Sequence, residues 1–150
     1  MSALVVDGIC RSFIGLQALL EVSFEVAPGV YAPNPDYLSI ANAYYPGYET
    51  RLAFTLAPID TNRLRLPEDL VGSGFDDPDL VERFLAALTE ALARLPQTDL
   101  GVLSSGNEID VYLASDPERC AAYAEFFAAA AAHARRVRPG LPVGAKATAA

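Results

Sequence analysis

The chain has 150 residues, 52% hydrophobic and 20% charged, and 11 Lys+Arg against 19 Asp+Glu give a net charge of −8. That length fits one ordinary domain or part of a larger one, and the apolar fraction excludes wholesale disorder. An acidic surface repels phosphate backbones and anionic lipid, so neither nucleic acid nor membrane is an expected partner.

Leu16–Val26 is apolar and partly β-branched, and Pro28-Gly29 closes it with a turn. This predicts a strand with Glu25 near its end. A proline- and asparagine-rich loop, 31–36, leads to a short helix over Tyr37–Tyr45, capped by Asp36 and stopped by Pro46-Gly47. Arg51–Ala57 reads as a buried strand ending at Pro58, and Ile59–Gly74 is polar and turn-rich. Asp77-Pro78 supplies an N-cap and a first-turn proline for the strongest predicted helix. Its apolar stripe is Leu80, Val81, Phe84, Leu85, Leu88, Leu92 and Leu95, and Pro96 ends it. Leu100–Ser105 is the next strand. Asp116-Pro117 repeats the cap-and-proline device for a helix reaching Arg138, with Arg135, Arg136 and Arg138 suited to its negative end. Leu141–Thr148 is the last predicted strand.

The order β-α-β-α-β-α-β predicts an α/β fold with a parallel sheet. Longer polar loops follow the strands, as in a partial (β/α) barrel of about four βα units. A doubly wound open sheet is the alternative, but Pro28-Gly29-Val30-Tyr31 is no glycine-rich phosphate turn. Residues 1–150 thus read as one incomplete barrel domain, since a closed barrel takes about 250 residues.

Three polar groups follow strands, where parallel α/β folds keep their sites. They are Glu25, then Asp60-Thr61-Asn62, then Asn107-Glu108 with Asp110. A carboxyl at a strand end between apolar walls can act as a proton donor, and glycoside hydrolysis needs such an acid plus a second carboxylate. The alternatives stand beside these readings: Asn-Glu as a loop or helix cap, and Pro-Ile-Asp-Thr-Asn as ordinary turn chemistry. Tyr37, Tyr44, Tyr45 and Tyr48 can stack on sugar rings or simply pack. His133, the single histidine, excludes a histidine-rich metal site and reads as a dipole-stabilised surface group. Cys10 and Cys120 are too far apart for a CxxC motif and read as two buried thiols. Neither a metal nor a cofactor is expected.

From about residue 27 to 148 the chain resembles glycoside-hydrolase-type TIM barrels of the retaining Asn-Glu clan. The resemblance rests on APGVYAPNPDYLSIANAYYP, LAFTLAPIDTNRLRLPEDL, FDDPDLVERF and PGLPVGAKAT, and above all on LSSGNEIDVYL. It implies Glu108 as the general acid/base of O-glycosyl hydrolysis, Asn107 as its substrate-binding neighbour, and a carbohydrate ligand. Asp60, Asn62 and Asp110 join as substrate-binding candidates. It also implies a nucleophile Glu from a later strand, a role to which no residue of this chain is assigned.

Residues 4–29, LVVDGICRSFIGLQALLEVSFEVAPG, resemble the opening of an ABC-transporter ATP-binding domain. No GxxxxGK[ST] follows, so the chain has no phosphate cradle for ATP hydrolysis. Residues 1–29 are therefore also readable as a foreign or fused segment, and the chain as a remnant of such a protein. A further alternative is a non-catalytic half-barrel that binds sugar or forms a homodimer through open sheet edges. Met1–Asp7 lacks a basic region, and arginines follow the alanine tract Ala128–Ala132. Neither reads as a signal peptide or a membrane span, so a soluble, by default cytoplasmic, protein is expected.

Overall fold

The computed structural model describes the backbone of residues 12–13, 16–19 and 25–27, and residues 29–32, 36–114 and 116–148 in full. Among the described residues, nine short strands and four α-helices follow one another. The first are β1 (Ser12–Phe13), β2 (Leu16–Leu19), β3 (Glu25–Ala27) and β4 (Val30–Tyr31). Helix α1 (Tyr37–Tyr44) runs into a 3-10 turn, Tyr45–Tyr48, and then β5 (Arg51–Thr55). A small hairpin of β6 (Ile59–Asp60) and β7 (Arg63–Leu64) precedes α2 (Pro78–Ala93) and β8 (Asp99–Ser104). Last come α3 (Ile109–Leu113), α4 (Pro117–Val137) and β9 (Val143–Gly144).

The main sheet has the order β1-β2-β5-β8-β9. Strands β2, β5, β8 and β9 are mutually parallel, and β1 is antiparallel to β2 at one edge. Each connection between parallel strands contains helix, as parallel crossovers require. The expected α/β alternation is thus present as four parallel strands and three helical crossovers.

The helix starts follow local chemistry. Asp36, Asp77 and Asp116 each accept a backbone N–H from the first turn of α1, α2 and α4. Pro78 and Pro117 occupy first-turn positions, where the missing N–H costs nothing. Helix α2 buries Leu80, Leu88, Ala91 and Leu92, and Leu95 is buried just beyond it. The stripe expected from the three–four spacing is the face that packs.

Two apolar clusters result. One places Leu52, Phe54, Leu56, Leu100 and Leu103 of the sheet against Leu38, Leu88, Leu92, Leu95 and Ala134. The other is aromatic: Phe75, Tyr123 and Phe126 pack with Ile59, Leu80 and Leu113. It lies beneath the loops that leave β5 and β8.

Several expectations need correction. Leu16–Val26 is not one strand: Leu16–Leu19 joins β5, while Glu25–Ala27 pairs back on β4 in a separate hairpin. Glu25 therefore does not end a strand of the parallel sheet. The predicted Leu141–Thr148 strand is reduced to β9: before it Pro142 has no N–H to donate to a ladder, and beyond it Lys146 pairs with Gly106 and Ile109, past the end of β8. Cys120 is exposed on the first turn of α4 rather than buried. Cys10 lies outside the described residues, as does most of the segment resembling an ATP-binding domain. Within that segment, the Leu16–Leu19 backbone pairs in parallel with Arg51–Phe54.

His133 is not a charged, dipole-stabilised surface group. Burial, with Arg136 adding, lowers its pKa. Arg136 donates to Nδ1 at 2.7 Å, so the neutral ring carries its proton on Nε2 and donates it to Thr89 Oγ1 at 2.7 Å. Thr89 in turn donates to the Leu85 carbonyl. The ring thus ties α4 to α2. Arg138 likewise serves the neighbouring element, donating to the carbonyls of Leu95 and Thr98 rather than to its own helix.

Candidate active site

Parallel α/β folds place their sites where the strands finish, because the loops there are free to vary over a rigid sheet. In this chain the ends of β5 and β8 lie side by side, with Thr55 opposite Ser104. Beyond them the pairing resumes. Leu56 N donates to Ser104 O, Asn107 N to Ile59 O, and Thr61 N to Asn107 O, each at 2.9 Å. Asp60 and Asn107 form a parallel bridge.

The other side of the same loop is held by the segment after β9. Ser105 N donates to Gly144 O, Lys146 N to Gly106 O, and Ile109 N to Lys146 O, at 3.0–3.2 Å. The loop Ser105–Glu108 is therefore clamped by backbone on both flanks. Ser104 Oγ donates to the Gly106 carbonyl, and the buried Tyr123 hydroxyl donates to the Ser105 carbonyl. Gly106 is required by space: a Cβ there would lie 2.5 Å from Ile109 Cγ2 and 2.9 Å from the Tyr123 oxygen.

On this platform the side chains converge. Asn107 Nδ2 donates to Asp60 Oδ1 at 3.1 Å, and Arg65 donates to Asp60 Oδ2 at 2.9 Å. The bond to a carboxylate identifies the nitrogen of the Asn107 amide, and it uses one of its two hydrogens. Thr61 Oγ1 donates to Glu108 Oε2 at 2.5 Å. Both residues have left-handed backbones, with φ of 58° at Thr61 and 51° at Glu108. Burial lowers the pKa of the half-buried Lys146 ammonium on the β9 side.

Three candidates, Asp60, Asn107 and Glu108, are thus gathered in one bonded cluster from residues 47 and 48 positions apart. Asn62 is exposed at the turn of the β6–β7 hairpin. Asp110, in the first turn of α3, is exposed and engaged elsewhere. The hydroxyl and the amide of Thr148 hold its carboxyl below the ordinary range. The tyrosines stand apart: the Tyr44 and Tyr48 rings pack 4.6 Å apart just before β5 begins, at the opposite end of the sheet. Sequence reasoning named Thr61 only as the middle of the Asp60-Thr61-Asn62 group, without a role, and passed over Arg65 and Gly106. Of the two passed over, Gly106, directly before Asn-Glu, left a signal that composition and spacing could have found.

No protein-family model matches the chain, and no curated protein matches its sequence. A solved structure does match in fold: a GH5_18 from Bifidobacterium longum subsp. infantis, at 13% identity and a TM-score of 0.61. The match covers 89% of this chain and 34% of that one, so the chain spans about a third of its length. The protein is accordingly an α/β chain whose parallel sheet and helices resemble part of a GH5 TIM barrel.

Proposed function

We propose that this chain carries the acid/base portion of a glycoside-hydrolase-type site, with Glu108 moving the proton at a glycosidic oxygen. The observation that carries the reading is the cluster where β5 and β8 finish, in which Glu108 follows an Asn107 already bonded to Asp60. A general acid must be held in one orientation to meet the leaving oxygen, and the doubly clamped loop supplies that rigidity. Asn107 and Asp60 are polar groups of the kind that fix sugar hydroxyls, with Asn62 and Asp110 at the rim. Hydrolysis also needs a second carboxylate, about 5–5.5 Å away for retention or about 6.5–9.5 Å for inversion. No residue of this chain is assigned that role. The chain is therefore read as binding carbohydrate and presenting the acid/base group.

Ligand-observed NMR and calorimetry with a panel of oligosaccharides test this. Binding that weakens about ten-fold or more in Asp60→Ala and Asn107→Ala supports the reading, since hydrogen bonds to charged groups are worth about 1.5–3 kcal/mol. A folded wild-type chain that binds none of them removes it. Any aryl glycoside turnover must vanish in Glu108→Gln, and unchanged turnover takes Glu108 out of the mechanism.

One observation favours a second reading. Strand β9 ends the sheet order, leaving a parallel edge among the described residues. Two copies pairing there would form a ligand-binding homodimer without hydrolysis. Sedimentation over a concentration series separates the two, because a monomer at every concentration removes the self-pairing.

A further inference from the structure

Building on that reading of Glu108, we infer that Thr61 is its positioning residue, holding Oε2 so that Oε1 faces the substrate and carries the proton. The hydroxyl of Thr61 donates to Glu108 Oε2 at 2.5 Å from the neighbouring loop. Its backbone N–H is separately engaged with the Asn107 carbonyl at 2.9 Å. Any residue but proline would supply that N–H. The hydroxyl is what threonine adds.

The backbone makes the choice of threonine informative. At a φ of 58° a β-branched side chain is crowded, whereas glycine is unstrained and asparagine is tolerated. Asn62, the next residue, would suit such a position better. Two non-glycine residues in left-handed conformation, Thr61 and Glu108, thus meet across two loops through one short side-chain bond. The β6–β7 turn itself calls for a positive φ at Thr61, so the conformation belongs to the hairpin and what needs a cause is the choice of a β-branched hydroxyl residue there.

The chemistry follows from the donor inventory. A threonine hydroxyl has one hydrogen, and here it points at Oε2. That bond survives both protonation states of Glu108 provided the carboxyl proton sits on Oε1. The same bond fixes the carboxyl rotation about its terminal torsion, which is otherwise broad.

The test uses the full chain with Thr61→Val, Thr61→Ser and Thr61→Gly, reading Glu108 side-chain order from 13C relaxation of its γ-methylene. Urea midpoints report stability in parallel. Thr61→Val and Thr61→Gly are expected to move Glu108 into the flexible range, with order parameters below about 0.6, while Thr61→Ser keeps it ordered. Thr61→Gly is expected to melt at or above the wild-type midpoint, because it relieves the left-handed backbone. A merely structural threonine would instead lose stability there. Glu108 as ordered in Thr61→Val as in wild type overturns the inference, as does a serine variant no better than valine. Should Thr61→Val fail to fold, the glycine and serine pair decides alone. Should wild type bind no oligosaccharide while Glu108 still loosens in Thr61→Gly, the carbohydrate reading falls and the Thr61 hold stands.

Discussion

The two ends of the sheet are built on different terms. Where the strands begin, side chains complete the backbone. Asn42 Oδ1 accepts from Gln97 N, Thr98 N and Thr98 Oγ1, closing the turn between α2 and β8. Arg138 donates to the Leu95 and Thr98 carbonyls, and Arg94 joins Asp36, Glu90 and the Tyr31 carbonyl. Burial alone would raise the Asp36 pKa, yet the bonds from Ser39 and Arg94 outweigh it and hold the carboxyl low. The left-handed residue on this side, Glu49, sits where a 3-10 turn ends, a usual place for that conformation.

Where the strands finish, the accounting is poorer. Thr61 is left-handed in the β6–β7 turn and Glu108 is left-handed at the start of α3 without capping it through its side chain, and the buried hydroxyls of Thr55 and Ser105 have no hydrogen-bond partner among the described residues. One end completes its buried hydrogen bonds; the other leaves two buried hydroxyls unpaired and bonds its side chains to one another. That division is what a site built on a parallel sheet requires.

Breaking the first end should cost the most. Asn42→Ala removes the shared acceptor of Gln97 N, Thr98 N and the hydroxyl of Thr98, a residue only 1% exposed. We expect a loss of about 2–3 kcal/mol, read as a lower urea midpoint at unchanged slope. Oligosaccharide binding should be unaffected at concentrations where the chain is folded. An unshifted midpoint would mean that the two ends do not differ as argued.

Gly106→Ala attacks the second end through its foundation. The added methyl meets Ile109, whose branched side chain is stiff in a helix, and a tyrosine hydroxyl pinned to Ser105. Overpacking of this kind costs about 1–3 kcal/mol, and it should also abolish carbohydrate binding by shifting Asn107 and Glu108. Comparing the two variants sharpens the contrast: similar instability, with loss of binding in Gly106→Ala alone.

The helix layer gives a smaller, pH-dependent effect. His133 has a folded pKa below its unfolded value of about 6.5. The unfolded chain then binds more protons between those two values, so stability falls as pH drops through that window and levels off below it. Urea midpoints of wild type and His133→Gln at pH 7.5 and 5.5 should show the larger drop in wild type. Equal drops would remove His133 as the cause.

How much of this was legible follows from how local each signal is. The caps Asp36, Asp77 and Asp116 act within three residues, so sequence alone located α1, α2 and α4, while the one-turn α3, which no such cap opens, was not foreseen. The α2 stripe is equally local, and it packs as its spacing predicts. Leu16–Val26 was misjudged because apolar residues do not say which partner their backbone will find, and β5 takes only the first four. Asp60 and Asn107 were each visible as strand-end polar groups. Their bond was not visible, because it depends on the parallel register of β5 and β8. Thr61 stood in a visible polar group but its role did not show: threonine does not announce a left-handed backbone, and its partner lies 47 positions away. His133 was misread for the same reason, since Thr89 is on another helix.

The smallest expected effect tests whether visible contacts can be weighed by eye. Arg51 and Asp99, the first residues of β5 and β8, face each other in register and pair at 2.9 Å. Their side chains are 61% and 59% exposed, so water screens the attraction and ordering two mobile side chains offsets it. Arg51→Ala should change the midpoint by less than about 0.5 kcal/mol, despite removing an ion pair that looks as good as the bond from Arg65 to Asp60. The strand-start end owes its stability to side chains that satisfy buried backbone, which an exposed pair does not do. A loss of more than about 1 kcal/mol in Arg51→Ala would show that charge, and not hydrogen-bond completion, separates the two ends.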